Sequence, residues 1–129
     1  MPTYNIGRPK FVAHEGSVML YGTGVQIDWA TVTADGNGVK KMLSGTLLHI
    51  DPTTQLAQAA DTGGTPDAPA SAILVSDVSD TPGQNKGFHG AYVGGVFYEN
   101  LMATPPTAGD KTALGSRFVF QVYADSRLD

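Results

Sequence analysis

The chain has no cysteine, so disulfides, thiolate metal sites and cysteine nucleophiles are excluded at once. It also lacks any apolar run near the ~20 residues that a membrane-spanning helix needs. Cations are scarce: eight Lys and Arg stand against twelve Asp and Glu, for a net charge of −4. Those eight are scattered and form no basic stripe, which argues against a grip on nucleic acid. The opening "MPTYNIGRPK" has no apolar signal core behind its charges, so the expectation is a soluble protein made in the cytoplasm.

What the chain does contain points to strands and turns. Sixteen glycines and eight prolines in 129 residues, with abundant Thr and Val, favour short strands over helices. A domain of this length buries roughly two thirds of its unfolded surface, enough for one modest core. The expected fold is a single all-β or β-rich domain with at most one or two short helices.

Prolines and glycines interrupt residues 1–16, "MPTYNIGRPKFVAHEG", and the apolar Tyr4, Ile6, Phe11 and Val12 keep no helical period. Such a segment cannot bury itself locally. It is either a loose terminus or an extended arm that needs another sheet's edge, ahead of one domain over 17–129. Within that domain "SVMLYG" (17–22), "VQIDWATV" (25–32), "VKKMLSG", "GTLLHI", "AILVSDV", "AYVGGVFY" (91–98) and "SRFVFQVYA" (116–124) read as strands. In 25–32 the alternation puts Val25, Ile27, Trp29 and Thr31 on one face. "ADGNG" (34–38) is a turn, because Asp-Gly and Asn-Gly accept positive φ. Gly94-Gly95 predicts a bulge or a close backbone approach. Residues 61–71 and 79–90 are loops by composition, and "ENLMA" begins a short helix that "TPPTAGDK" breaks.

Catalytic constellations are hard to find. Asp77 and Asp80 sit three apart, so on a strand their carboxylates fall on opposite faces. Asp77 and Ser79 are expected to leave the sheet and hydrogen-bond loop backbone. His49 and Asp51 share a strand face and, with His14-Glu15 and His89, contain metal-ligating atoms, but no HExxH or HxH spacing gathers them. There is no G-x-S-x-G elbow and no phosphate loop. Trp29 suits a core or an interface. No cofactor and no catalysis are expected, and a chain of this kind acts through its surfaces.

The order "SGTLLHIDPTTQLAQAADT", "ASAILVSDVSD", "AYVGGVFYENLM", "KTALGSRFVFQV" resembles the head decoration (capsid-stabilising) proteins of lambda-type tailed phages over roughly residues 42–122. The positions that carry it are Ala70 and Ala72 with Ile73-Leu74, then Asp77, then Val93, Gly95, Phe97 and Leu101 or Met102. Residues 17–41 depart from the compact members. The resemblance implies a β-tulip-like domain and a homotrimer on the outer surface of an expanded capsid. It further implies an N-terminal arm that pairs with the major capsid protein, with no membrane or nucleic-acid partner. On that basis Tyr4, Ile6, Phe11, Val12 and Glu15 are the expected arm contacts, and the protein is a virion component made in the host cytoplasm.

Several strands are apolar on both faces: Val119 and Tyr123 lie opposite Phe118 and Phe120, and Leu74 lies opposite Ile73 and Val75. The second face needs a cover, either a sister subunit or loops of the same chain. Val119, Tyr123 and Trp29 are therefore trimer-interface candidates. Two other readings compete. One is a carbohydrate-binding β-barrel stacking sugars on Trp29, Tyr92, Phe97 and Tyr98. The other is a trimeric metal-dependent hydrolase using Asp77 and Asp80.

Overall fold

A computed structural model describes residues 10–60, 68–81 and 87–124. The strands are short, in keeping with a glycine- and proline-rich chain: β1 (Met19–Leu20), β2 (Gln26–Ile27), β3 (Lys41–Met42), β4 (Leu47–Ile50), β5 (Leu56–Ala59), β6 (Ala72–Leu74), β7 (Val78–Ser79), β8 (Ala91–Tyr98) and β9 (Phe118–Gln121). One α-helix, α1 (Ala108–Leu114), and 3-10 turns at Glu15–Ser17, Trp29–Thr31 and Glu99–Leu101 complete the described residues. The β-rich fold class follows.

A seven-stranded sheet runs in the order β1-β8-β6-β4-β5-β2, with β9 also on β8, and β3 and β7 form a separate pair. β8 organises the larger sheet. Along one edge it meets residues from the start of the chain: Ala13 N–H donates to Val96 O at 2.9 Å, Tyr98 N–H donates to Phe11 O at 2.7 Å, and β1 follows antiparallel. Along its other edge lie β6, antiparallel, and then β9, parallel. The parallel β8–β9 pair needs a crossover, which α1 supplies.

The sheet buries both faces. Phe11, Val12, Leu47, Ile73, Phe97 and Phe118 belong to one cluster, whereas Val25, Ile27, Leu48, Leu74, Val78 and Ala91 belong to another. Leu47 and Leu48, adjacent on β4, divide between the two clusters as alternation requires. Tyr92 and Phe97 both point into the first cluster, although strict alternation would put them on opposite faces. The phase changes at the glycine pair: Met19 pairs with Gly94 but Leu20 with Tyr92, one residue of β1 against two of β8. Gly95 has φ +138 there.

Four expectations need correcting. The arm boundary at residue 16 is too late. Phe11 and Val12 are 2% and 1% exposed and pair with β8, so residues 10–16 belong to the body. Second, the strand over 25–32 stops at Ile27. Asp28 N–H donates to Ala57 O, and Thr31 bonds back to Asp28 O through both N–H and Oγ1, which bends the chain into a 3-10 turn. Third, the helix lies after the prolines. Thr107 caps it in a capping box with Asp110, each side chain bonding the other's backbone N–H. Residues 99–101 form only a 3-10 turn. Fourth, β5 stands in a stretch where no strand was expected; its Ala57 is fully buried beneath Ile27 and Leu48.

Candidate interaction surfaces

The expected site residues scatter. Tyr4 and Ile6 lie outside the described residues. Glu15 begins the 3-10 turn that leads into β1. Phe11 and Val12 are core and unavailable to a partner. Their burial has a plain cause: a strand edge of β8 lay open, and each apolar side chain gains ~1.5–3 kcal/mol by covering it.

Val119 and Tyr123 each lie against a residue of β8. Val119 pairs with Val96 and is 47% exposed, while Phe118 and Phe120 turn inward against Phe97. The Tyr123 ring packs edge-on against Tyr98 at 4.9 Å, and both Tyr123 backbone groups bond the Asn100 side chain. Val122 beside them is 63% exposed. Across β8 the Met19 side chain lies over Gly94, where Arg117 also approaches, and Met19 and Leu20 are exposed. The exposed apolar residues of β1 and β9 thus flank one strand. Trp29 is elsewhere, half-buried against the second cluster in the 3-10 turn after β2.

A second surface surrounds Leu43, which is exposed between β3 and β4. A shallow groove of about 380 Å³ runs past it, lined by Lys10, Phe11, Ser44, Asp77, Met102 and Ala103. Lys10, the first described residue, is part of that lining.

The aspartates do structural tasks here. Asp77 Oδ1 accepts the Ser44 N–H at 2.6 Å, and Ser44 Oγ donates to Val75 O, tying the β3–β4 connection to the end of β6. Asp80 joins through its backbone N–H to Lys40 O. The two carboxylates are not brought together by these contacts. His49 Nδ1 bonds Pro69 O at 2.9 Å, and Asp51 closes its own turn by accepting from Thr53 and Thr54 N–H. His89 pairs with Val25 through the backbone. Among the described residues no three His, Asp or Glu side chains converge as metal ligands would. Leu74 is wholly buried by the chain's own second cluster, so a sister subunit is not its cover. Tyr92 and Phe97, expected on a sugar-stacking surface, are 4% and 0% exposed and form the core instead.

Backbone hydrogen bonds from Thr53 and Thr54 hold the Asp51 carboxyl below its ordinary value, and those from Val39 and Asn37 do the same for Asp35. A carboxylate with a lowered folded value stabilises above the ordinary 3.8 and loses that contribution as pH falls through the folded value. The melting temperature should therefore drop on acidification below that point. In Asp51→Asn the side-chain oxygen still accepts both N–H groups but no longer titrates, so the acid-side drop should be shallower. A parallel drop would remove Asp51 from the account.

No protein-family model matches the chain, and no curated protein matches it.

Proposed function

We propose that this protein is a structural component of a phage head, a decoration protein that binds the outside of the expanded capsid as a homotrimer and clamps neighbouring major capsid subunits. The observation that carries this reading is the ordered resemblance over residues 42–122, whose quoted segments supply β4, β6, β8 and β9 around a single sheet. Two surfaces suit the two contacts such a protein makes. The apolar flank with Val119, Val122 and Met19 suits a sister subunit. The groove at Lys10 and Leu43 suits the shell.

Each added backbone hydrogen bond contributes about 0.5–1.5 kcal/mol net, against roughly 1–2 kcal/mol per residue for ordering the chain. One arm of nine residues binds weakly; three on one trimer raise avidity by about 10²–10⁴. Trimer and arm therefore belong together.

Deleting residues 1–9 tests the arm and leaves the buried Phe11 and Val12 in place, which a deletion to residue 14 would remove. The truncated protein should keep its melting temperature and its mass in solution and lose co-sedimentation with expanded capsids. Unchanged capsid binding would refute the arm assignment. Val119→Asp should leave a folded protein of monomer mass by ultracentrifugation; a trimer that persists moves the subunit contact away from β9.

A further inference from the structure

We propose that Asn37–Gly38 is a site of spontaneous chemical modification, at which the Asn37 side-chain amide is lost and replaced by a mixture of aspartate and isoaspartate. In this reaction the Gly38 backbone nitrogen attacks the Asn37 Cγ, the Cγ–Nδ2 bond breaks and ammonia leaves, giving a cyclic succinimide. Water then opens either carbonyl of the ring. One water is consumed, one ammonia is released, and nothing is oxidised or reduced.

The attack needs a following residue that does not shield its own nitrogen, a side-chain amide free to rotate, and a backbone able to fold back. The first two are in place at this turn, and the third requires the hydrogen bonds that Asp35 makes to Asn37, Gly38 and Val39 to open. Gly38 has no Cβ, and one built there would find nothing within 4 Å, so the approach to its nitrogen is open. Asn37 and Gly38 are both exposed. Gly38 has φ +78, within a turn closed by Asp35. The Gly38 N–H donates to Asp35 O at 3.0 Å, and that bond must open before the nitrogen reacts. It spans a surface turn, where local opening costs least.

The other candidates are guarded. Asn100 has both side-chain heteroatoms engaged, Nδ2 donating to Tyr123 O at 2.9 Å and Oδ1 accepting from Tyr123 N–H at 2.8 Å, and branched Leu101 follows it. Asp35 precedes Gly36 and could form the same ring, but Oδ1 is occupied by the Asn37 and Val39 N–H groups. Asn5 and Asn85 lie outside the described residues and are followed by Ile6 and Lys86, each with a Cβ over the nitrogen.

Modification puts a new carboxylate next to Asp35 and Lys41, which face each other at 3.7 Å. In the isoaspartate form the main chain also gains a methylene inside the loop that Asp35 closes onto Val39. The full-length protein should be held in mildly alkaline buffer and sampled by anion exchange and peptide mass mapping, beside a free peptide of residues 34–40. A more acidic species should accumulate whose change maps to Asn37, with isoaspartate detectable by enzymatic methylation, and faster at higher pH. Asn37→Gln should abolish it, and Gly38→Ala should slow it. Conversion mapping to Asn85 or Asn100 instead would overturn the proposal. So would a folded protein that stays intact over the time in which the free peptide converts.

Discussion

Phe11→Ala lowers the free energy of unfolding by about 3–5 kcal/mol, the range for deleting a buried aromatic ring from a close-packed core. Phe11 touches Tyr92 and Phe97, with ring centroids 6.2 and 6.0 Å apart, and is among the largest fully buried side chains. A domain of this kind is stable by only about 5–15 kcal/mol, so the variant should melt far below the parent. Urea unfolding followed by tyrosine and tryptophan fluorescence measures the loss. The result separates two roles that look alike in sequence. A residue of a free arm would leave the midpoint unmoved, whereas a residue of the core moves it by most of the available range. An unmoved midpoint would return Phe11 to the arm.

Gly95→Ala is the second large effect. A Cβ at this position would lie 2.8 Å from Val18 Cγ1 and 3.0 Å from Val18 Cα, and the second neighbour is backbone that cannot swing away. The residue also has φ +138, a conformation L side chains rarely adopt. Backbone strain of roughly 1–3 kcal/mol and overpacking of roughly 1–3 kcal/mol act together, so the loss should fall near 2–6 kcal/mol. Gly36→Ala, in an exposed turn with open space around it, is the control and should cost far less. Equal losses at the two sites would show that close approach of residue 18 to β8 is not what makes Gly95 necessary.

How much of this was legible in the sequence differs from element to element. The eight residues of β8 stand where the apolar run 91–98 put them, with the phase change at the two glycines. Asp77 bonds loop backbone as expected, but β6 ends earlier, at Leu74, and Ser79 lies within β7 instead of leaving the sheet. These features are local, and local chemistry announces them. Phe11 and Val12 were misplaced because a non-periodic apolar segment advertises only that it needs an edge. That the edge belongs to its own chain, near residues 96–98, is a fact of topology. Residues 25–32 misled differently: the alternation was real for Val25 and Ile27, both buried, but Thr31 offered Asp28 a local hydrogen bond that ended the strand. The helix stands where the sequence reads as broken: Pro105 and Pro106 precede the N-cap, where proline breaks nothing, and Thr107 with Asp110 forms the capping box.

The candidate surfaces were less legible still. Alternation on β9 identified Val119 as outward-facing, and the structure leaves it exposed beside Val96. Trp29 was grouped with it on chemical type alone, and it lies in the turn after β2, packed against the second cluster. The groove at Leu43 had no sequence signal, since its lining comes from segments that the chain brings together only on folding.

The flanking of β8 on one side by residues 11–20 and on the other by β9 has a consequence for how the molecule is made. The pairing of β8 with β1 joins Leu20 to Tyr92, residues far apart in sequence, whereas β9 follows β8 after only one helical crossover. Domains that rely on such distant pairings reach the native state over milliseconds to seconds rather than microseconds. Until both flanks have closed, the Phe97 side of the sheet lacks the cover that Phe11, Phe118 and Phe120 supply, and stays open to solvent and to other chains.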